Sequence, residues 1–310
     1  MRKIILLYLL FLVVNTQAQQ TSQFSQYIFN YFAINPAMAG SEGCLNFSLG
    51  YRSQWLKIEG APQTGFGSFS SEIFSKRRSI NQTKQGAGMY IENDVIGPMA
   101  RTSVNLAYAY HFPVSRDIRA SAGIFIGLHQ FKLDVSKIEL AQSGDPLISG
   151  SGSKLLVPDF SPGIFLSHKD WFAGYSIKQL ARNKWKIVGS SDTRNRWHHY
   201  IVGGKRFDAG KINFVPSGML KYAGFTTPSL DLNLVAELNK SFDIGIGWRN
   251  QDQIGAMFKI KFAQFFTLGY AFDYTISSLR FGSSNTHELI IKISACPHDQ
   301  GDIYDCPIFN

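Results

Sequence analysis

Two neighbouring histidines, His198 and His199, are the first candidates for metal chemistry in this chain. Adjacent residues of a β-strand point to opposite faces of the sheet, so the pair predicts one imidazole on each face. His287 and Glu288 match the first two positions of the zinc-binding pattern H-E-x-x-H, but Ile291 stands where the second histidine is required. The sequence therefore predicts no metal site.

Nucleophilic and phosphate chemistry also lack their motifs. Residues 149–154 (SGSGSK) superficially resemble a phosphate-binding loop, but the spacing of GxxxxGK[ST] is absent and a flexible loop explains them. No GxSxG sequence marks a nucleophilic serine. We predict no catalytic residue and no cofactor. A Ser–His pair on two neighbouring strands would leave no such motif, and it stays open as the enzymatic alternative.

The N-terminus indicates an exported protein. Arg2 and Lys3 precede an apolar run, and Ala18 closes a sequence typical of a signal-peptide cleavage site. We predict that residues 1–18 are removed. Only 17% of the 310 residues are charged, below the roughly 25% of soluble domains. The net charge of +9 could suit nucleic acid, but export argues against that partner, and contact with anionic outer-membrane lipid is the simpler account.

Apolar and polar residues alternate with period two along the mature chain. Leu230, Leu232 and Leu234, for example, alternate with Asp231 and Asn233. A soluble sandwich buries such an apolar face in its core, whereas an outer-membrane barrel turns it towards lipid, so the pattern leaves both folds open. About fourteen strands are predicted, at roughly 44–56, 63–75, 85–94, 101–112, 118–131, 159–168, 170–178, 196–207, 211–222, 229–239, 241–249, 253–262, 265–275 and 286–295.

The lengths of the connectors decide between these folds. From the fourth strand onward short and long connectors alternate, as in membrane barrels with short periplasmic turns and longer outer loops. The basic stretch 75–85 is an exception, because it is long but falls on the periplasmic side. We therefore predict an all-β transmembrane antiparallel barrel at residues 44–295. Its tight turns are 113–117, 168–170, 208–210, 239–240 and 262–264, and its longer connectors are 132–158, 179–195, 223–228 and 276–285.

Residues 19–43 precede the first predicted strand and contain the uncharged stretch 23–40, which is rich in aromatic and amide side chains. The stretch lacks alternation and contains Pro36. We expect residues 19–43 to form a periplasmic or lumen-capping segment that covers the lumen floor. The segment is also a candidate to fill the room that small inward residues leave in the lumen, where mixed charges can pair. The charged residues expected in the lumen are Asp231, Glu237, Asp243, Arg249, Lys259, Lys261, Asp273, Glu288 and Lys292.

The remaining residues, 296–310, form a tail that contains two of the three cysteines, Cys296 and Cys306. Export places them in a compartment that permits disulfides. The first expectation is a Cys296–Cys306 bridge within the tail. The alternative joins Cys44 to Cys296, because both share the inward parity of their strands and would meet if the first and last strands pair.

Short motifs run in order along nearly the whole mature chain. The residues that carry them most clearly are Asn35, Pro36, Ala37, Gly40, Asp94, Gly97, Asp273, His287 and Glu288. Each motif alone is weak, but the ordered set resembles the PorP/SprF family. Members of that family are outer-membrane proteins associated with the type IX secretion system of Bacteroidetes.

The resemblance implies a non-enzymatic barrel that works with the secretion and gliding-motility apparatus. Some members are paired with a secreted, adhesin-like surface protein that they help to reach or stay on the cell surface. Others resemble a link to a periplasmic ring complex. For this chain, contact with ring or peptidoglycan-linked components is expected to require another protein.

Binding residues belong on loops held by a rigid scaffold, and 132–158 and 179–195 are the longest predicted outer loops. The second is cationic and aromatic, which suits an acidic partner; a basic loop beside anionic lipid explains its charges equally well. The alternative function is a channel for small or hydrophobic solutes, because about fourteen strands can surround a lumen. The candidate partner-binding residues are Arg182, Lys184, Trp185, Lys186, Arg194 and Arg196.

Overall fold

The computed structural model describes residues 21–73, 82–138, 153–184, 194–224, 226–239, 241–263, 265–282 and 285–296. Its strands are β1 (Leu45–Ser53), β2 (Gln63–Ile73), β3 (Lys84–Ile96), β4 (Met99–Pro113), β5 (Ile118–Leu133), β6 (Ser153–His168), β7 (Trp171–Lys178), β8 (His198–Lys205), β9 (Phe207–Asp208), β10 (Asn213–Ala223), β11 (Ser229–Asn239), β12 (Phe242–Arg249), β13 (Gln253–Phe262), β14 (Phe266–Thr275) and β15 (Thr286–Ala295). The helices are short 3₁₀ helices: η1 (Gln26–Phe29), η2 (Tyr31–Ala33), η3 (Pro36–Met38), η4 (Val135–Lys137) and η5 (Ser278–Phe281).

Neighbouring strands pair antiparallel around a closed ring. The ring closes where β1 pairs with β15, from Leu45 opposite Ala295 to Ser53 opposite His287. The two-residue strand β9 continues β8 along β10, so the wall is a 14-strand barrel. This confirms the predicted fold. Closure gives every strand of the wall a neighbour on both sides, so no strand is an edge strand, as a lipid environment requires.

The wall carries apolar residues outside and polar residues inside. On β1, Leu45, Phe47 and Leu49 are exposed on the outer face, whereas Asn46 and Ser48 are buried on the inner face. This distribution reverses that of a soluble protein and agrees with an outer face that meets lipid. None of the described helices is long and apolar enough to cross a membrane.

The barrel has two different ends. The short-turn end carries the chain before β1, the chain after β15, and the connectors 114–117, 169–170, 209–212, 240–241 and 263–265. The long-loop end is the opposite one, where the strands joined by 134–152 and 179–197 stop. The predicted alternation is not strict, because the short connector 250–252 lies at the long-loop end, as does the tight turn 97–98 before the fourth strand.

The β5–β6 hairpin is longer than predicted. We expected a connector at 132–158, but β5 continues to Leu133 and β6 begins at Ser153. Pro158, at the expected boundary, lies inside β6, where its carbonyl accepts a hydrogen bond from Asn183 Nδ2 at 2.7 Å. A proline is tolerated in a strand where its missing N–H does not interrupt a ladder.

Candidate functional site

The N-terminal segment 24–39 lies inside the barrel. Nearly all of its side chains are buried. It runs from Ser25, which contacts Gln253 at the long-loop end, to Ala39, which lies against Gly86 at the short-turn end. The segment was expected to fill room in the lumen and to cover its floor; it occupies the lumen from the short-turn end to the long-loop end.

Aromatic rings pack the segment against the wall. The ring centroids of Tyr31 and Phe172 lie 5.2 Å apart, and those of Phe24 and Phe66 lie 4.9 Å apart, both edge to face. Such pairs add specific geometry to the burial of apolar area. Because the outer face meets lipid, these contacts give the barrel a hydrophobic core in its interior.

A buried charge cluster holds the start of the segment; it comprises Arg52, Asp273, Glu288, Ser25 and Gln26 and is called the Arg52 cluster. Arg52 Nη1 lies 2.7 Å from Asp273 Oδ2 and 2.8 Å from Glu288 Oε2. The backbone N–H groups of Ser25 and Gln26 donate to Glu288 at 2.8 and 3.0 Å. The Arg52 side chain is 0% exposed. The segment therefore adds hydrogen bonds to buried charges on the wall.

A second charge cluster lies on the strands β10–β12. Asp231 accepts hydrogen bonds from Arg249 Nε at 2.8 Å and from Lys221 Nζ at 2.9 Å. Lys221 also donates to Gln23 Oε1 at 2.7 Å, and Arg249 Nη2 donates to the carbonyl of Phe24 at 3.3 Å. Of the charges expected in the lumen, Asp231 and Arg249 pair with each other here, and Arg249 also binds the segment.

Arg52 and Ser25 were not among the residues expected to interact in the lumen. The available signal for Arg52 was its inward parity with Asn46 and Ser48 on β1. Ser25 had no such signal, because its segment has no periodicity.

Asn35 joins the segment to two strands of the wall. Its Oδ1 accepts from the backbone N–H of Ala37 at 3.0 Å and caps η3. Its Nδ2 donates to the carbonyls of Ile164 in β6 and Tyr175 in β7, at 2.9 and 3.3 Å. A Cβ at Gly163 would overlap Asn35, so glycine is required for this approach.

The end of the segment packs even more tightly against the wall. A Cβ at Gly86 would overlap the backbone carbonyl of Ala39 and would lie 3.0 Å from the Cα of Gly40. His111 Nε2 lies 2.8 Å from the same carbonyl oxygen, and His111 Nδ1 lies 2.6 Å from Ser121 Oγ. These contacts fix the backbone just before it enters β1.

A small cavity remains between the N-terminal segment and the wall. It measures ≈ 40 Å³ and is lined by both charged and aromatic side chains, including Glu92, Arg101, Lys178, Tyr90 and Phe125. A cavity needs roughly 10–15 Å³ to hold each water molecule, so this one holds only a few. The buried N-terminal segment therefore fills the part of the lumen beside this cavity.

Comparison with known proteins identifies the family. The model of the family "Type IX secretion system membrane protein PorP/SprF" matches residues 16–293. The chain belongs to the PorP/SprF family. No curated protein sequence matches it.

Solved structures similar to this PorP/SprF protein are outer-membrane barrels. The Ralstonia pickettii toluene transporter TbuX has a TM-score of 0.51 at 9% identity, covering 89% of this chain and 94% of its own. The Pseudomonas putida toluene transporter TodX has a TM-score of 0.52 at 8% identity, covering 90% and 95%. The CymD monoaromatic hydrocarbon channel has a TM-score of 0.50 at 10% identity, also covering 90% and 95%. At such identities the likeness shows the fold alone.

The PorP/SprF motif residues outside the segment and the Arg52 cluster lie in the wall. Asp94 Oδ1 accepts from Thr64 Oγ1 at 2.6 Å on the buried face. Gly97 has φ +55° in the tight turn between β3 and β4. His287 is outside the lumen, where its Nδ1 lies 2.7 Å from Tyr270 Oη.

His198 and His199 point to opposite faces of the sheet, as predicted. His198 is buried, and His199 Nδ1 lies 2.8 Å from Tyr175 Oη on the outer face. Among the described residues, no group of three or more His, Cys, Asp or Glu side chains could hold a metal ion.

The candidate partner-binding loop of this PorP/SprF protein is described at both of its ends. Arg182, Lys184, Arg194 and Arg196 are exposed, and the Arg182 guanidinium lies 5.4 Å from the ring centroid of Trp197. Lys184 and Arg194 face each other in an isolated β-bridge, which brings the two ends together. The candidates Trp185 and Lys186 lie outside the described residues.

The disulfide differs from the first expectation. Cys44 is bonded to Cys296, with their Cα atoms 4.3 Å apart. The expected Cys296–Cys306 bridge is therefore corrected, although Cys306 itself lies outside the described residues. The physical reason is barrel closure: pairing Leu45 with Ala295 places the two cysteines side by side at the short-turn end.

Replacing Cys44 by serine should lower the free energy of unfolding by about 2–4 kcal/mol, because the bond constrains a very long stretch of the unfolded chain. Urea unfolding in detergent, with and without reductant, measures the change. Cys306→Ser is the control and should unfold like wild type, and peptide mapping should recover a Cys44–Cys296 cross-link. Equal destabilisation by the two substitutions would contradict the pairing.

Proposed function

We propose that this protein is a non-enzymatic scaffold of the type IX secretion apparatus that docks or retains a secreted, adhesin-like surface protein. The observation that carries the proposal is the filled lumen. The N-terminal segment completes the core and bonds to buried charges on both sides, which favours a rigid platform over an open pore. A platform binds through its ends, where loops project from the wall.

The long-loop end is the docking face in this proposal. Exposed Arg182, Lys184, Arg194 and Arg196 gather there, and the guanidinium above Trp197 adds an aromatic anchor. Arginine and tryptophan are enriched among residues that dominate binding energy. Such a surface suits an acidic partner, whose approach it would also accelerate. The short-turn end, with the C-terminal tail, would face the periplasm and its secretion components.

The channel alternative draws on the structural neighbours, which are described as toluene transporters or a hydrocarbon channel. An aromatic hydrocarbon does not fit the ≈ 40 Å³ cavity. Transport would therefore require the N-terminal segment to move. The proposal accordingly expects no steady conductance from the purified protein in a planar bilayer, and a stable open pore would favour the channel.

The docking test replaces the four loop cations Arg182, Lys184, Arg194 and Arg196 by glutamine. Because their attraction to an acidic partner would be lost, surface retention of type IX-secreted proteins should fall by about tenfold. Retention is measured on intact cells by surface labelling. Shift of the unheated band in gel electrophoresis confirms that the variant barrel is folded.

The matched control neutralises four exposed cations at the short-turn end: Arg116, Lys169, Lys205 and Lys211. It removes the same charge and should retain secreted proteins normally. Normal retention by the loop variant, or an equal loss in both variants, would overturn docking through this loop.

A further inference from the structure

Two lysines stand directly opposite each other on the outer face of the β5–β6 hairpin. Lys132 pairs in register with Lys154, and both side chains are exposed. Side chains directly opposite on neighbouring strands lie about 5 Å apart at Cβ, and like charges at that spacing destabilise the pair. No ion pair within the described residues offsets either charge. This arrangement calls for an anion that both ammonium groups can share.

The surface next to the lysines is apolar. The outward positions preceding Lys132 on β5 include Ile126 and Leu128, and those following Lys154 on β6 include Leu156 and Phe160. Leu156 is 60% exposed. Large apolar side chains at such positions contact the acyl chains of lipid in an outer-membrane barrel.

The lysines therefore lie just beyond the edge of the apolar band. Gln130, opposite Leu156, is the first polar outward residue of β5, and Lys132 follows it on the same face. Lysines at this level extend their ammonium groups towards the headgroups while their carbon chains cover apolar surface. A lipid whose chains pass Leu156 would bring its phosphate close to these lysines.

One nearby acidic group offsets only part of the charge. Asp134 is the described acid nearest in sequence, and its carboxylate attracts both Lys132 and Lys137. Its Oδ1 also accepts hydrogen bonds from Ser136, from Oγ at 2.7 Å and from the backbone N–H at 3.3 Å. Lys137, three residues after Asp134, adds another positive charge.

We propose that Lys132 and Lys154 together bind the phosphate of an anionic lipid in the leaflet at the long-loop end. Each ammonium group brings three donors to the phosphate oxygens. The acyl chains lie along the outer face of β5 and β6, beside Leu128 and Leu156. The site favours a lipid over a free phosphate ion, because the lysines bind the phosphate and the apolar surface contacts the acyl chains.

The test uses purified, full-length protein in nanodiscs of phosphatidylcholine that contain increasing fractions of phosphatidylglycerol or lipid A. Native mass spectrometry counts the anionic lipids that stay bound. Substituting glutamine at both positions, as K132Q/K154Q, should weaken retention by about 25-fold, since one lysine near an anionic surface contributes about fivefold. The control K169Q/K211Q removes the same charge in the short turns and should bind the lipid like wild type.

Inorganic phosphate provides the second arm, since it has the headgroup chemistry without the chains. It should neither displace the bound lipid nor raise the unfolding temperature of wild type. The proposal is wrong if K132Q/K154Q retains lipid normally, if both double variants lose it equally, or if inorganic phosphate alone reproduces the effect. Heat-modifiable migration of each variant confirms that its barrel is intact.

Discussion

Arg52→Met should destabilise the barrel by about 3–5 kcal/mol, because it leaves the carboxylates of Asp273 and Glu288 buried and uncompensated. Both acids now lie within 2.8 Å of Arg52 Nη1. Their repulsion would also disturb the backbone of Ser25, which donates to Glu288. Urea unfolding of the detergent-solubilised protein measures the loss, and the folded fraction is read from migration of unheated samples.

The triple variant R52M/D273N/E288Q separates charge from packing. It removes all three charges, so it should recover more than half of the stability that Arg52→Met alone loses. Lys292→Met is a milder comparison, because Lys292 and its partner Glu42 are partly exposed at the short-turn end and should contribute about 0–1 kcal/mol. A triple variant no more stable than the single one would show that the cluster does not act through charge.

Gly86→Ala should cost about 3 kcal/mol or expel the N-terminal segment from the lumen, because the added methyl group overlaps the carbonyl of Ala39. Backbone on both sides leaves no flexible side chain that could give way. The free energy of unfolding measures the first outcome. Protease cleavage within residues 24–39 of the purified protein detects the second.

Gly65→Ala is the matched control for this substitution. It also adds a methyl group to a strand glycine, but its Cβ would lie 3.9 Å from Tyr51 Cδ2, an ordinary contact. Its stability should stay within about 1 kcal/mol of wild type. If Gly86→Ala were as stable and as protease-resistant as Gly65→Ala, the segment would not pack against β3 as described.

The barrel wall was predictable because its determinants are local. Lipid outside and polar groups inside impose alternation on each strand. The sequence alone therefore predicts that Leu230 faces outward and Asp231 faces inward. The lumen was not predictable in the same way. Asn35 acquires its role from the carbonyls of Ile164 and Tyr175, which are far away in the sequence and carry no side-chain signal.

The disulfide shows a similar limit. The alternation along the first and last strands predicted that Cys44 and Cys296 both point inward. A disulfide between them therefore remained an alternative. Proximity in sequence favoured Cys306 instead. The deciding fact was the pairing of β1 with β15, which depends on closure of the whole ring. Local patterns predict the strands; closure determines which of them meet.

The bond between Cys44 and Cys296 also has a mechanical consequence. A barrel built from one chain can be peeled apart where its first and last strands meet, because hydrogen bonds there break one at a time from the termini. Here the bond lies at the end of that ladder where both termini leave, beside the pair Leu45 and Ala295. When a pulling force is applied to either terminus, the disulfide therefore prevents the first hydrogen bonds of this ladder from opening one by one. The wall can yield only when many hydrogen bonds shear together.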